Sequence, residues 1–274
     1  MIEFVKQIAS QLQVAYPADE AEALAWWIAE ETTGLSRSQL LCGDKGTTFS
    51  ANTQDIIERL LHFEPIQYIF GHTEWCGLDL KVTPATLIPR PETAELVEEV
   101  ERLKVKGERL RVLDVGTGSG CIAIALKKAH PEWQVTGSDI SAEAIEIAKE
   151  NALRNNAEIE FEQMDIFSDE IETIGTFDIV VSNPPYICKK EKAGMRRNVL
   201  DYEPAQALFV PDDDPLLFYR RIASLRLGKQ LFFEINEAYP KELTTMLEEL
   251  GYTDIHVTND IYGKPRIIQG RSTR

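Results

Sequence analysis

From Leu110 onward, short apolar runs alternate with helical patterns, and this alternation limits the fold more than any other feature of the chain. "RLRVLDVG" and "QVTGSDI" read as strands, each followed by a helix, "CIAIALKKAH" and "SAEAIEIAKENALRNN". "EIEFEQMD", "TFDIVVSN" and "KQLFFEIN" supply further strands, and "DPLLFYRRIASLRLG" and "KELTTMLEELGY" further helices, with two more strands expected near Ile255 and Ile267. Strands separated by helices pair in parallel through right-handed crossovers, so the expectation is an α/β fold with a mostly parallel sheet covered on both faces. Ligands of such sheets lie outside the carboxyl ends of the strands, and function is sought in the residues that follow each strand.

Ahead of this region the 274-residue chain has room for a smaller unit. "DEAEALAWWIAEETTGL" places Ala23, Trp26, Trp27 and Glu30 at helical spacing with Gly34 as a stop. "SANTQDIIERLLHF" offers Ser50 or Asn52 as an N-cap before Ile56, Ile57, Leu60 and Leu61. Past Pro65, "TEWCGLDLKVTP" has β character around Gly77 and reads as a hairpin. The division expected is a helical domain over 1–70, a linking β-hairpin over 71–84 and the α/β domain over 85–274.

Composition narrows the function classes. Asp and Glu outnumber Lys and Arg by 45 to 29, a formal charge of −16. Neutralising phosphates supplies much of the affinity for nucleic acid, so this balance argues against such a substrate, with "KKEKAGMRR" (189–197) the local exception. The four cysteines and four histidines are scattered, without the spacing of a metal site or a disulfide framework, so no metal is expected. The first residues lack a basic segment followed by an apolar one, and no apolar run is long enough to span a bilayer; a cytoplasmic protein is expected.

Two motifs fall at the ligand rim. In "LDVGTGSGCIAIA", Gly116, Gly118 and Gly120 form a tight turn between a strand and its helix, where the backbone can approach a ligand and the helix N-terminus presents free N–H groups. Cys121 stands where a GxGxxG dinucleotide fingerprint needs glycine, so a nicotinamide site fits poorly. Asp139 ends the next strand, where a carboxylate accepts ribose hydroxyls. The helix after it has its own cap in Ser141, which would leave Asp139 free for a ligand. "MDIF" (164–167) reaches the same rim and offers an apolar surface to an adenine ring.

The second motif is "SNPPYI", in which a core strand runs into an amide side chain and two prolines. A carboxamide nitrogen that must attack an electrophile has its lone pair tied up by conjugation. Two acceptors, the Asn183 side-chain oxygen and the Pro184 carbonyl, can hold its two hydrogens and aim the lone pair. The Pro184–Pro185 pair fixes the direction of that carbonyl, and Tyr186 is expected to supply a flat wall. Positioning of this kind contributes on the order of 7 kcal/mol at its most favourable. No strong base is needed, because the alkylated amide loses its proton readily to water.

On these residues the chain resembles the class I S-adenosylmethionine-dependent methyltransferases, through "DVGTGSG" with "SDI", and their amino-methylating branch, through "SNPPYI". "PIQYIFG", "LIPRPETAELVE", "DYEPAQALF", "FFEIN" and "YGKPRIIQGR" are further similar to the HemK/PrmC family, the glutamine N5-methyltransferases of peptide chain release factors. The resemblance implies a Rossmann-like fold with a mostly parallel seven-stranded sheet and a small N-terminal helical domain that docks the release factor. It implies that Gly116, Thr117, Gly118, Ser119 and Gly120 hold the methionyl part of S-adenosylmethionine, that Asp139 binds its ribose and that Ile166 lies by the adenine. Asn183, Pro184, Pro185 and Tyr186 would receive the glutamine of a Gly-Gly-Gln loop, with Asn183, Pro184 and Tyr186 catalytic and Asn183 also beside the cofactor. S-adenosylhomocysteine would be the product. Arg90 and Glu203 would support the pocket. Ala94 stands where the family commonly has an acidic residue, and 211–215 and 236–240 also depart from its pattern.

The rival reading is an N6-adenine or other exocyclic-amine nucleic-acid methyltransferase, since the motif serves any planar NH₂ group. Such an enzyme must extract its base and needs a basic recognition region, for which neither charge nor length provides. A silent cofactor-binding scaffold is disfavoured by the intact Asn183, Pro184, Pro185 and Tyr186. The protein is expected to be a monomer acting on release factors, with no direct contact to nucleic acid or membrane.

Overall fold

The computed structural model describes residues 2–42, 52–103, 109–168 and 174–273. The chain divides into two compact units, one made of Met1–Gly71 with Arg196–Tyr202, the other of His72–Met195 with Glu203–Arg274.

The first unit is helical: α1 (Ile2–Leu12), α2 (Ala18–Thr33), α3 (Arg37–Cys42), α4 (Thr53–Leu61) and α5 (Ile66–Phe70). Its core collects Val5, Ile8 and Leu12 of α1, Trp26 and Ile28 of α2, and Ile56, Ile57 and Leu60 of α4. These are the apolar stripes of amphipathic helices, none of which would be stable alone. Gly34 ends α2 in the left-handed conformation, as its position in the sequence predicts, with its N–H donating to the Glu30 carbonyl at 2.8 Å. Asn52 stands at the head of α4 without a side-chain capping bond; the alternative cap, Ser50, lies outside the described residues. Trp26 is core, whereas Trp27 is half-buried and donates its Nε1–H to Glu31 at 3.3 Å.

The second unit opens with the expected hairpin, β1 (His72–Trp75) and β2 (Leu78–Lys81). Cys76 and Gly77 turn it with φ of 50° and 71°, the two positive values of a type I′ turn. The unit continues through α6 (Thr93–Glu101), β3 (Arg111–Val115), α7 (Cys121–Ala129), β4 (Gln134–Asp139), α8 (Ala142–Arg154), β5 (Glu160–Gln163), β6 (Phe177–Ser182) and β7 (Ile187–Cys188). After α9 (Arg197–Tyr202), which belongs to the helical unit, come α10 (Ala205–Leu208), β8 (Phe209–Val210), α11 (Leu217–Leu225), β9 (Gly228–Glu234), α12 (Pro240–Glu249), β10 (Tyr252–Asn259) and β11 (Pro265–Ser272).

Seven strands form one sheet in the order β10-β11-β9-β6-β3-β4-β5. The pairs among β9, β6, β3, β4 and β5 are parallel, and β11 runs antiparallel to both its neighbours. The central strands read as unbroken apolar runs because both faces are covered. Successive residues alternate between two packed layers: Val112, Ile179, Val181 and Phe232 join Leu96, Ile122 and Ala152, while Leu113, Val180 and Phe233 join Tyr219, Ile222 and Leu247. Ala94 also packs against the first layer, an apolar use of the position where the family pattern is acidic.

Two features differ from the sequence division. The hairpin is part of the second unit, because the buried Asn151 of α8 holds it. Asn151 accepts from the Lys81 N–H at 2.7 Å and donates to the carbonyls of Lys81 at 2.9 Å and Ser119 at 2.8 Å. The stretch Arg196–Tyr202, placed by sequence position in the α/β domain, sits with the helices. Tyr202 donates to the His62 carbonyl at 3.0 Å, the Arg197 guanidinium lies 4.6 Å from the Phe63 ring centroid, and Arg196 pairs with Glu20 at 3.0 Å.

Candidate active site

The sheet order reverses at β3, whose chain successor β4 lies on one side while β6 lies on the other. Loops leaving neighbouring strands diverge at such a point, and a crevice opens between them. Here it is a cavity of about 550 Å³ lined by the loops after β3, β4, β5 and β6, by 84–87, Pro89 and Arg90, and by Thr93 at the start of α6.

At one end lies the glycine loop. The N–H groups of Gly116 and Thr117 both donate to the Ser138 carbonyl, at 2.8 and 2.9 Å, which folds the loop back over the end of β4. Gly118, at φ 55°, aims its N–H at Asp139 Oδ2, 2.9 Å away. The other carboxylate oxygen accepts from the Ser141 N–H at 2.9 Å, while the Ser141 hydroxyl caps α8 through the Ala144 N–H. Asp139 is therefore not free of local duty, as the presence of Ser141 had suggested: it steadies the loop and the helix entry together. A carboxylate offers about four lone-pair sites, so one remains for a ligand hydroxyl. Burial raises the Asp139 pKa above its ordinary value, with the backbone N–H groups of Ser141, Gly118 and Ile140 opposing the shift.

Beneath the loop, Asp114 is fully buried and accepts from the Thr117 hydroxyl at 2.6 Å. Burial pushes its pKa up to about 7 against that hydrogen bond. Along the side of the cavity stand Ile140, Met164, Ile166, Phe167 and Phe218, with Phe167 and Phe218 in edge-to-face contact at 5.5 Å. Ile140 and Phe167 are large apolar side chains left substantially exposed, as the wall of an apolar slot would be.

At the other end stands the corner after β6. Asn183, Pro184 and Pro185 line the cavity. The Asn183 side-chain nitrogen donates to the Thr93 hydroxyl at 3.2 Å. That hydroxyl donates in turn to Glu234 Oε2 at 2.7 Å, and the Tyr186 hydroxyl donates to Glu234 Oε1 at 3.1 Å. Glu234 ends β9 and is 1% exposed. Burial raises its pKa, and burial beside this carboxylate also holds the Tyr186 phenol well above its ordinary value. Asn236, in one of the atypical segments, donates to the Tyr186 carbonyl at 3.1 Å. Arg90 pairs with the buried Glu203 at 2.7 Å, and Glu203 also accepts from the Ile88 N–H at 3.3 Å, which ties 88–90 to the start of α10.

Of the sequence-predicted site residues, Gly116, Thr117, Gly118, Ser119, Asp139, Ile166, Asn183, Pro184 and Pro185 meet around this one cavity. Two do not line it. Gly120 heads α7 at φ 81°, and a Cβ there would come within 3.2 Å of the Ala148 Cβ, so its service is close packing of α7 on α8. Tyr186 turns its hydroxyl to Glu234 and packs in the second apolar layer, where a flat wall to the cavity was expected. Thr93, Glu234 and Asp114 were missed as site residues, the first two because their partners are distant in sequence.

Among the described residues no group of three or more His, Cys, Asp or Glu side chains is placed to hold a metal ion, and no helix is long and apolar enough to cross a membrane.

Comparison with known proteins agrees with this architecture. Residues 3–71 match the model of the PrmC N-terminal domain, and residues 93–201 that of the methyltransferase small domain. A release factor glutamine methyltransferase of Bacteroides thetaiotaomicron is 46% identical over 270 residues, covering 95% of this chain and 96% of that protein. One of Flavobacterium psychrophilum is 44% identical, covering 79% and 78%. Among solved structures, the hMettl16 catalytic domain in complex with the MAT2A 3'UTR hairpin 6 aligns with a TM-score of 0.56 at 18% identity, over 85% of this chain and 86% of that one. The Thermus thermophilus 16S rRNA N2 G1207 methyltransferase in complex with AdoMet and guanosine aligns at 0.52 and 19% identity, over 73% and 49%. At such identities these two structures speak to the fold alone.

Proposed function

The chain belongs to the release factor glutamine methyltransferase family, and from that premise we propose how its cavity divides the work. It is a methyltransferase that transfers a methyl group from S-adenosylmethionine to a glutamine of a release factor. The finer assignment is the side-chain nitrogen, N5, of the glutamine in a Gly-Gly-Gln loop.

The residues present fit the cofactor. A nucleoside carrying an amino-acid tail needs an apolar slot, an acceptor for ribose hydroxyls and a backbone that the tail can approach closely. The slot of Ile140, Ile166, Phe167 and Phe218, the Asp139 carboxylate and the backbone of the glycine loop stand around one cavity in that order of chemistry. When bound, S-adenosylmethionine supplies an electrophilic methyl group on a sulfonium. We assign Gly116, Thr117, Gly118 and Ser119 to its methionyl part, Asp139 to the ribose and Ile166 to the adenine.

The observation that carries the reading is the orientation of Asn183. Its nitrogen is committed to Thr93, so the oxygen is the end of the amide offered to a ligand. With the Pro184 carbonyl it makes a pair of acceptors suited to the two N–H groups of a carboxamide, which leaves the nitrogen lone pair directed along one line. Pro184 and Pro185 hold that geometry by their fixed φ, and water takes the proton once the nitrogen is alkylated. The helical unit is the part we assign to docking the protein substrate.

The test is incubation with labelled S-adenosylmethionine and either a release factor or a methyl-free RNA, with mass spectrometry to place the label. A methyl group on the side-chain nitrogen of one glutamine is expected. Label on a nucleobase, or none on the release factor, would sink the reading.

A further inference from the structure

The hydrogen bonds behind Asn183 form a directed chain, and its direction is set by a group that does not line the cavity. The Thr93 hydroxyl has one hydrogen and two neighbours, Asn183 Nδ2 at 3.2 Å and Glu234 Oε2 at 2.7 Å. An amide nitrogen only donates, and an ionised carboxylate only accepts. The hydroxyl must therefore give its hydrogen to Glu234 and receive one from Asn183. An amide turned the other way would bring its oxygen against a hydroxyl oxygen whose hydrogen is already committed. We propose that Glu234 is a positioning residue which, through the Thr93 hydroxyl, decides which end of the Asn183 amide faces the substrate.

An asparagine side chain has a nearly symmetric outline, and its two ends differ only in hydrogen bonding. Glu234 receives a second hydroxyl, from Tyr186 at 3.1 Å, so both carboxylate oxygens act as acceptors. The other charged or titratable groups bearing on it are Arg266, which favours the ionised form, Glu92, which opposes it, and the buried Tyr219. Arg266 is itself paired with Asp260 at 3.0 Å. Burial dominates and raises the Glu234 pKa.

The chain is consequently reversible. A protonated Glu234 can donate to the Thr93 oxygen, and the hydroxyl can then donate to the Asn183 oxygen with the amide turned over. The acceptor for the substrate is replaced by a donor, and turnover stops without loss of the fold. The structural place of Tyr186 follows from the same chain: its hydroxyl helps keep Glu234 ionised.

This inference rests on the glutamine-methylating reading, so the test begins with wild-type enzyme on a release factor; absence of methylation there would defeat that reading and not this one. Given activity, Thr93→Val removes the hydroxyl at nearly constant shape, and Thr93→Ser restores it. With both substrates saturating, the Val variant is expected to lose about 10- to 100-fold in kcat, the cost of a misaimed acceptor. Its affinity for S-adenosylmethionine, by titration calorimetry, should stay at the wild-type value, and the Ser variant should recover most of the rate. Wild-type kcat in the Val variant, or a Ser variant as slow as Val, would overturn the role of the hydroxyl. The wild-type kcat is expected to fall at acid pH, and a flat wild-type profile would overturn the role of the carboxylate. Glu234→Gln cannot titrate, so in that variant the fall should be absent. An acid limb that persists in that variant would overturn the role of the carboxylate.

Discussion

At the glycine-loop end of the cavity the ligand-facing groups are held by bonds that span at most 21 residues: Gly118 to Asp139, Asp139 to Ser141, Thr117 to Asp114. At the Asn-Pro-Pro end they are held by bonds between distant segments. Asn183 meets Thr93 across 90 residues of chain, and Thr93 meets Glu234 across 141. The first end forms wherever two neighbouring strands, β3 and β4, pair and their loops fold. The second exists only when α6, β6 and β9 are assembled, and it turns on a side chain, Asn183, whose orientation we tie to the Thr93 and Glu234 hydrogen bonds. On the proposed assignment, grip on a cofactor and aim on a substrate come from different physics, and the two can be separated by experiment.

The sharpest separation comes from Asn183→Ala. Removing one preorganised partner of a reacting group costs about 10²–10³ in kcat, while affinity for S-adenosylmethionine by calorimetry should hold. A parallel loss of both would break the division. Asp139→Ala should do the reverse, weakening cofactor binding by about 10- to 100-fold, the loss of charge-assisted hydrogen bonds of roughly 1.5–3 kcal/mol. With cofactor saturating, its kcat should stay near the wild type; a collapse of kcat there would show that the loop also aims the substrate.

A third effect is on stability and belongs to Asp114. Its folded-state pKa is raised to about 7, so the native protein keeps a proton that the unfolded chain releases near pH 4. The stabilisation from this group is complete below the unfolded pKa and is lost as pH rises through about 7. Asp114→Asn should remove a slope of about 1.4 kcal/mol per pH unit across the middle of that window. Urea unfolding of both proteins between pH 4.5 and 7.5 would measure it. Parallel stability curves would show that Asp114 is not the buried acid it is here taken to be.

The same contrast explains what could be read before the structure. The sheet was legible because strands covered on both faces carry unbroken apolar runs, as in Ile179–Val181 and Leu231–Phe233. The glycine loop and Asp139 were legible because strand, turn and helix follow one another in the chain. Even there the duty of Asp139 was misjudged, since Ser141 looked sufficient as a cap and the Gly118 N–H could not be foreseen as a partner. Thr93 and Glu234 gave no signal by themselves: a threonine at a helix start and a glutamate at a strand end are ordinary. Only the runs "LIPRPETAELVE" and "FFEIN", quoted for their family likeness, marked those places. Tyr186 was assigned to the substrate because it adjoins the corner in sequence, and the hydrogen bond to Glu234 that claims it lies 48 residues away.

One consequence of the chain path concerns how the protein can be taken apart. Soon after the Asn-Pro-Pro corner the backbone leaves the second unit, gives α9 to the helical one, and re-enters at the buried Glu203. The peptide crosses the boundary three times, so proteolysis between Gly71 and His72 would leave one helix of the first unit covalently attached to the second. A clone begun at His72 would express an orphaned helix whose seats on Glu20, His62 and Phe63 had been deleted, so its failures could not be charged to missing substrate contacts.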